Sequence, residues 1–394
     1  MATSDALRAV DDMVAKVEPV LRKHAAQAEA ERRLAPEAMN ALIDAGVTRS
    51  LLPKRLGGLE LDVLAGFRLI EELSYIDSAA GWVSLIAAGL TSFGGLLPPK
   101  AAEEMFSDPR AVLVGAWFPP GTAEPVQGGY RVSGHWAFGS GSNYATWLTG
   151  QALITENGVP KPGPDGNPQP LIVFFRADQA EVLDNWQAMG MRGTGSHDFR
   201  VRDIFVPNHR AWAMGPWEIK NPAYAGPLYR MAAWAIAPWQ ASVTLGIARA
   251  AIDGLLELAG AGKTPSYTMT SIADRQVVQD RVARARAVVD AARSYIQVTA
   301  TAALEFVQTA PKLDMEHGLP LALAGSFGIE ASAQAVDLVH ACAGTSAIRG
   351  ERPFEKYFRD VHTLTQHAFS SPSRFESIGK LLLGRETDWG FYYL

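Results

Sequence analysis

The sequence predicts three consecutive segments: one helical, one rich in strands, and a second helical one. Apolar residues recur at helical spacing to about residue 109. Short β-branched and aromatic runs separated by turn residues follow from about 110 to 215, and helical spacing then returns. Alternating strand and helix units are missing, as are the usual glycine-rich phosphate motifs, which disfavours a doubly wound nucleotide-binding fold. We therefore predict three domains, 1–109, 110–215 and 216–394.

Each segment contains recognisable elements. In the first, apolar residues recur at helical spacing at Val10, Met13, Val14, Val17 and Leu21, and "LAPEAMNALIDAGV" has a proline near a helix start and a glycine at its stop. The predicted strands are "AVLVGAWF", "GGYRVSGHWAF", "ATWLTGQALI", "PLIVFFRA" and "RVRDIFVP". Long helices are predicted for "WQASVTLGIARAAIDGLLELAGAG", "RQVVQDRVARARAVVDAARSYIQVTATAALEFVQ" and "LALAGSFGIEASAQAVDLVHACAG".

The composition indicates a globular protein with a large core. The 394 residues are 48% hydrophobic and 20% charged, with a net charge of −5. No block of Lys and Arg stands out, so we expect no nucleic-acid partner. A single cysteine, Cys342, excludes an internal disulfide and a cysteine-based metal cluster, and no metal site is predicted. The charged N-terminus and the interrupted apolar runs predict a cytoplasmic protein without a membrane span.

Three motifs point to a specific family. "GGYRVSGHWAFGSGSNYATW" and "WQAMGMRGTGSHDFRVRDIFVP" resemble the two flavin-facing strand stretches of the acyl-CoA dehydrogenase superfamily, and "ACAGTSAIRGERPFEKYFRD" resembles its glycine turn and Arg-Asp helix start. The resemblance covers essentially the whole chain. It implies an N-terminal α-helical domain, a central β-barrel and a C-terminal four-helix bundle that builds a homotetramer, with flavin between barrel and bundle.

The proton-abstracting glutamate of the dehydrogenases is missing from both of its known positions. Counting from Arg359 of the Arg-Asp pair reaches Ala368, and counting back from Gly246 reaches Ile236. Neither apolar side chain can accept a proton from a carbon acid. The residue before Ala368 is His367, and here the chain resembles the two-component flavin-dependent monooxygenases that act on phenols, secosteroid phenols and dibenzothiophene.

That branch implies a particular reaction. A separate reductase delivers reduced flavin, which reacts with O₂ to form a C4a-peroxyflavin and oxygenates an aromatic, heteroaromatic or amine small molecule. A histidine suits this chemistry, because its pKa near 6.5 lets it take a phenolic proton or donate to the peroxide near neutral pH. Two alternatives stay open: a dehydrogenase that uses an unrecognised base on a CoA thioester, and a non-enzymatic helical scaffold.

The resemblance also implies individual roles. His367 is the predicted catalytic residue, although a histidine at a helix end also caps carbonyl groups, and His362 is expected to be structural. Ser140 is predicted to approach flavin N5 and help hold the peroxide, although "GSGS" is also good turn chemistry. Ser142 and Asn143 are its possible substitutes.

Further residues are predicted to bind flavin or substrate. The cofactor set is Trp117, Ser140, Arg192, Thr194, Ala343 and Gly344, and the substrate set is Trp82 and Phe369, with Phe93 and Phe375 nearby. Arg192 could equally form a surface ion pair. Pro265 stands where the dehydrogenases have an arginine for the diphosphate, which favours FMN or a loosely bound flavin over a permanently bound FAD.

Overall fold

The N-terminal segment is helical. In the computed structural model, which describes residues 4–163, 166–350 and 352–394, its α-helices are α1 (Ser4–Glu31), α2 (Pro36–Asp44), α3 (Val63–Ile76), α4 (Ser78–Leu90) and α5 (Pro99–Phe106). The periodic residues predicted for the first helix are buried along α1, except for Val14, which is partly buried. Asp62 and Asp77 begin α3 and α4, because each side chain accepts a hydrogen bond from a backbone N–H of the first turn.

The middle segment forms one sheet. Its strands are β1 (Leu113–Val126), β2 (Gly129–Gly139), β3 (Trp147–Glu156), β4 (Val159–Pro160), β5 (Pro170–Arg176), β6 (Glu181–Val182), β7 (His197–Pro207) and β8 (Ala211–Ala213). The order is β6-β7-β2-β1-β3-β5-β8, with β4 beside β3. Only β1 and β3 pair in parallel among the described strands. The central sheet is confirmed. The predicted closed barrel is not, because the path ends at the short strands β6 and β8, which do not pair with each other.

The C-terminal segment is helical again. Its α-helices are α6 (Ile236–Gly260), α7 (Gln276–Phe306), α8 (Met315–Ala343), α9 (Phe354–Leu364) and α10 (Ser373–Leu382). Helix α6 is buried along most of its length and approaches α3 closely, since a Cβ at Gly246 would lie 2.4 Å from the carbonyl oxygen of Glu71. A C-terminal helical domain is therefore confirmed. A four-helix bundle is not, because the described helices are three long ones and two short ones.

A buried junction joins the sheet to α9. A Cβ at Gly190 would lie 2.2 Å from the carbonyl oxygen of Arg359, so the loop after β6 packs directly on the helix backbone. The fully buried Asp360 accepts a hydrogen bond from the backbone N–H of Met191 and pairs with Lys356 at 2.7 Å. The Arg-Asp pair of the sequence motif thereby fixes the loop that leads to Thr194.

One stretch of the described chain is long and apolar enough to cross a membrane by length and composition. It covers Ser78–Leu96, which is α4 and the 3-10 turns after it, and 78% of its most apolar window is buried inside the protein. This stretch therefore packs as part of the core.

Candidate active site

His367 lies in the turn after α9, and its ring is partly exposed. The amide nitrogen of Gln240 lies 3.0 Å from its Nδ1, and the backbone N–H of Phe369 donates to the same atom over a longer 3.3 Å. Because a backbone N–H can only donate, Nδ1 is the acceptor and the neutral ring carries its proton on Nε2. No described residue bonds to Nε2, so this N–H is available to a ligand.

The surroundings of His367 keep it neutral. Burial lowers the pKa of the imidazole to about 4, and no charged group of the described residues pairs with the ring. Gln240 is held in turn, because its side-chain oxygen accepts a hydrogen bond from the hydroxyl of Ser370. A neutral ring with the proton on Nε2 can donate a hydrogen bond. Taking a proton from a substrate would require the other tautomer.

Ser140 is placed by an irregularity in the sheet. The pairing of β2 with β7 shifts register between Trp136 and Gly139. Phe138, in the same bulge, has a φ of 67°, which is unusual for a residue with a side chain. The bulge ends the regular pairing one residue before Ser140, whose side chain then turns into a buried network of hydroxyl groups.

This network is a directed relay of four side chains. The indole N–H of Trp82 donates to Ser140 Oγ at 2.9 Å, Ser140 Oγ lies 2.7 Å from Ser196 Oγ, and Ser196 Oγ lies 2.6 Å from Thr194 Oγ1. At the far end, Thr194 donates to the carbonyl oxygen of Met191 at 2.8 Å. Because a carbonyl only accepts, each hydroxyl donates toward Met191. Ser140 therefore gives its proton to Ser196 and can only accept from a further partner.

Trp82 connects the two predicted catalytic residues. Its N–H binds Ser140, and its ring meets the His367 ring edge-on with centroids 5.3 Å apart. The structure therefore brings Ser140, Trp82 and His367 together. Ser142 lies close to Ser140 in sequence and has a buried hydroxyl without a hydrogen-bond partner, whereas Asn143 is exposed.

The predicted aromatic residues are joined by the C-terminus. Trp117 lies where β1 shifts register against β3, and it contacts Phe93 with centroids 5.0 Å apart. Phe391 stacks on Trp117 at 6.1 Å and meets Phe369 at 4.7 Å. Trp117 and Phe369, which come from different domains, are therefore brought to one place through Phe391.

An apolar cavity of about 60 Å³ adjoins Phe93. It is lined by Leu51, Gly89, Ser92, Phe93, Trp217, Leu228, Tyr229, Ala235, Ile236 and Trp239. Ile236 and Gln240 stand one helical turn apart on α6, so the cavity and the amide that holds His367 share one stretch of helix. No carboxylate lines this cavity.

Other predicted site residues lie apart. Arg192 sits 3.7 Å from Glu29 as an ion pair, with 41% of its side chain exposed. Ala343 and Gly344 are at the end of α8, and no described bond or ring contact links them to Ser140. Phe375 makes no ring contact with the other aromatic residues. His362 bonds to Asp337 at 2.8 Å, away from this site.

Sequence reasoning missed Gln240 and Phe391. A signal for Gln240 was present, since it is an amide in the apolar run "AIAPWQASVTLGIA", one helical turn after Ile236. Phe391 belongs to the aromatic C-terminus "DWGFYYL", whose rings gave no periodic pattern. Its position depends on how the end of the chain folds back.

Two models of one protein family match parts of this chain. The family models "Acyl-CoA dehydrogenase, N-terminal domain" and "Acyl-CoA dehydrogenase, C-terminal domain" match residues 4–95 and 238–372. The chain belongs to this superfamily, which confirms the predicted membership.

The relatives define a narrower group. The chain is 29% identical to an indole-3-acetate monooxygenase from Pseudomonas putida, over 90% of this chain and 89% of the relative. It is 28% identical to the oxygenase subunit HsaA of a flavin-dependent monooxygenase from Rhodococcus jostii (strain RHA1), over 90% and 93%. The solved structure of XiaF from Streptomyces sp. in complex with FADH2 and glycerol has a TM-score of 0.88 and 27% identity, covering 98% of each chain. The predicted resemblance to the monooxygenase branch is thus confirmed, since the first two relatives are monooxygenases, HsaA is named as flavin-dependent, and XiaF binds FADH2.

Proposed function

We propose that this protein is the oxygenase component of a two-component flavin-dependent monooxygenase. It would use reduced flavin and O₂ to add one oxygen atom to an aromatic, heteroaromatic or amine small molecule. The names of the relatives support this reaction. The main observation behind this proposal is His367. Its neutral ring is held by two N–H donors at Nδ1, its Nε2 has no described partner, and it contacts the ring of Trp82, whose N–H binds Ser140.

The dehydrogenase alternative finds little support in the same geometry. Abstraction of a carbon-bound proton needs a base within hydrogen-bond reach. Ile236 lines the apolar cavity and Ala368 is exposed, so both glutamate positions of the dehydrogenases carry side chains without a basic atom. His367 would have to exchange the tautomer that Phe369 favours before it could serve as that base.

The residues around Ser140 fit a flavin in its reduced state. Reduced flavin supplies the electrons that activate O₂, and its N5 carries a hydrogen that needs an acceptor. Ser140 can only accept, because the relay commits its own proton to Ser196. Thr194 would act through this relay, and Trp117, partly exposed, would contact the ring system. XiaF was solved with bound FADH2 and the resorcinol hydroxylase from Rhizobium sp. is FADH2-dependent, so reduced FAD is a candidate cofactor beside FMN.

Assembly and partners follow from the same proposal. A separate reductase would supply the flavin. A homotetramer, with a four-helix bundle in each C-terminal domain, would bring Ala343 and Gly344 of a second copy to a flavin held by the first. We keep the domain boundaries 1–109, 110–215 and 216–394, and a cytoplasmic location, as part of this proposal.

The experiment is a single turnover without a reductase. Protein mixed with chemically reduced FAD or FMN is exposed to ¹⁸O₂ and an indole or phenol, and labelled product and hydrogen peroxide are measured. We expect labelled product and a lag before oxidised flavin returns. His367→Ala should lower the product by about 100-fold, because acid–base groups contribute roughly this much.

His362→Ala is the matched control, since that ring bonds to Asp337 outside the site. It should retain product within about twofold of wild type, as expected for a substitution away from the site. Anaerobic bleaching of bound flavin by an acyl-CoA would support the dehydrogenase instead. Failure to bind either flavin in any redox state would leave the scaffold alternative.

A further inference from the structure

The last eight residues, 387–394, fold back onto the C-terminal domain, and we refer to them as the C-terminal tail. Tyr392 stacks on Trp234 with centroids 4.8 Å apart and ring planes within 4° of parallel. The guanidinium of Arg374 lies 3.6 Å from the ring centroid of Trp389. These contacts attach the C-terminal tail to the 3-10 segment before α6 and to α10.

Phe391 lies between the two attachment points, and its ring continues a row of aromatic side chains. The row starts at His367, which stacks on Phe369 at 6.1 Å, and Phe369 meets Phe391 at 4.7 Å. From Phe391 it continues to Trp117 at 6.1 Å and to Phe93 at 5.0 Å, where the apolar cavity begins. Phe391 is therefore the link between the histidine and the cavity.

The middle of this row is open. Phe369, Phe391 and Trp117 are each partly exposed, whereas Phe93 is 8% exposed. Tyr392, the neighbour that anchors the C-terminal tail, is buried as well. Three partly exposed aromatic side chains next to the buried Phe93 form a surface on which a planar ring can stack.

The charged and polar groups around this aromatic row limit which ligands could stack on it. Arg374 is engaged with the ring of Trp389, and Asp388 points to solvent with 81% of its side chain exposed. Two polar groups adjoin this row. His367, whose Nε2 has no described partner, stands at one end, and the Trp389 ring lies 4.8 Å from Phe369 and 4.9 Å from Phe391 with its buried N–H unpartnered among the described residues. A flat molecule with a polar substituent that accepts from such an N–H and an apolar remainder matches this arrangement.

We propose that Phe391 is a substrate-contacting residue and that the C-terminal tail forms one wall of the substrate site. Its ring limits the size of the planar aromatic compound that can lie between Phe369 and Trp117. The identity of the bound molecule as a substrate rests on the proposed function, whereas its binding against Phe391 does not.

Equilibrium binding tests this assignment without turnover. The dissociation constants of resorcinol, a one-ring phenol, and 2-naphthol, a two-ring phenol, are measured anaerobically with the complex of protein and reduced FAD. Phe391→Ala removes the wall. We therefore expect the ratio of the affinity for 2-naphthol to the affinity for resorcinol to rise at least about fivefold above its wild-type value. Tyr392→Ala frees the C-terminal tail from Trp234 and should change the preference in the same direction.

Leu383→Ala is the control, because this side chain is 80% exposed and lies outside the C-terminal tail. It should leave the preference within about twofold, as expected for an exposed position. An unchanged preference in both tail variants, equal weakening for both phenols, or a wild type that binds neither phenol would each overturn the assignment. Binding with the expected shift but without oxygenated product would instead count against the proposed function alone.

Discussion

The two polar groups of the candidate site are held in different ways. Ser140 belongs to a relay whose direction is set at both ends, by the indole N–H of Trp82 and by the carbonyl of Met191. His367 is held at one nitrogen by Gln240 and Phe369, and its other nitrogen has no described partner. The serine has no free proton to give, and the imidazole keeps one directed outward.

This difference gives the two side chains different chemical roles. A hydroxyl whose proton is committed can select a ligand that donates, but it cannot lose or gain a proton without reorganising the relay. A neutral imidazole with an open N–H can donate to a developing negative charge. We infer that the Ser140 side recognises the flavin and that the His367 side serves the oxygen transfer. Four perturbations test this division.

The largest expected effect is on stability at low pH. Burial lowers the pKa of His367 to about 4 in the folded protein, below its ordinary value of 6.5. Between these two values the unfolded chain binds a proton that the folded protein excludes. The contribution of the neutral His367 ring to the free energy of unfolding is therefore fully present above pH 6.5. About 3 kcal/mol of it is lost as the pH falls toward 4. Urea unfolding at pH 7 and at pH 4.5 would measure most of it.

The comparison protein for this measurement is His367→Gln. Burial also lowers the pKa of His197, which adds to the pH dependence of both proteins and cancels in their difference. If His367→Gln lost stability with falling pH as steeply as wild type, the ring would not be excluded from protonation in the folded state.

The second effect concerns the tautomer of the His367 imidazole. Gln240→Leu removes the shorter of the two bonds to Nδ1 and leaves only the longer one from Phe369. The ring can then carry its proton on Nδ1 for part of the time, so we expect about a tenfold loss of product per reduced flavin consumed. Nitrogen NMR shifts of His367 report the tautomer directly.

Thr244→Val on the same helix is the matched control, since it removes a bond from Thr244 Oγ1 to the backbone carbonyl of Ala241 and leaves His367 untouched. It should change neither the product yield nor the nitrogen shifts. A lower yield in Gln240→Leu with unchanged nitrogen shifts would mean that the amide supports packing and does not set the tautomer.

The sequence was sufficient for the parts of the site that depend on local pattern. Helical spacing predicted α1 and the long C-terminal helices, and the motif around "SGSNY" singled out Ser140. Gln240 and His367 are 127 residues apart, and no local rule pairs them. Closure of the sheet is a similar long-range property. It depends on whether the first and last strands are long enough to meet, and β6 and β8 are two and three residues long.

A third, smaller effect tests whether the direction of the hydroxyl relay determines which redox state of the flavin binds. Thr194→Val removes the acceptor of Ser196, whose proton can then turn toward Ser140. Ser140 would become free to donate to oxidised flavin, so we expect the preference for reduced over oxidised flavin to fall about fivefold. The two dissociation constants, or the midpoint potential of the bound flavin, measure this change.

Thr194→Ser keeps the hydroxyl and should restore the wild-type preference. A Thr194→Val protein that weakens both redox states equally would show that this hydroxyl only supports the fold of the turn. In that case the direction of the relay would have no influence on which flavin binds.

The smallest expected effect is at Arg192, which the resemblance places at the flavin. Its guanidinium is 3.7 Å from the carboxylate of Glu29, which is longer than a hydrogen bond, and 41% of its side chain is exposed. Such an ion pair contributes less than about 1 kcal/mol, so Arg192→Ala should change flavin affinity by no more than about twofold. Anaerobic titration with reduced FAD and reduced FMN measures this. A tenfold weakening of FAD binding alone would place Arg192 at the part of FAD that FMN lacks. The flavin-binding residues would then include Arg192 as well as the hydroxyl relay.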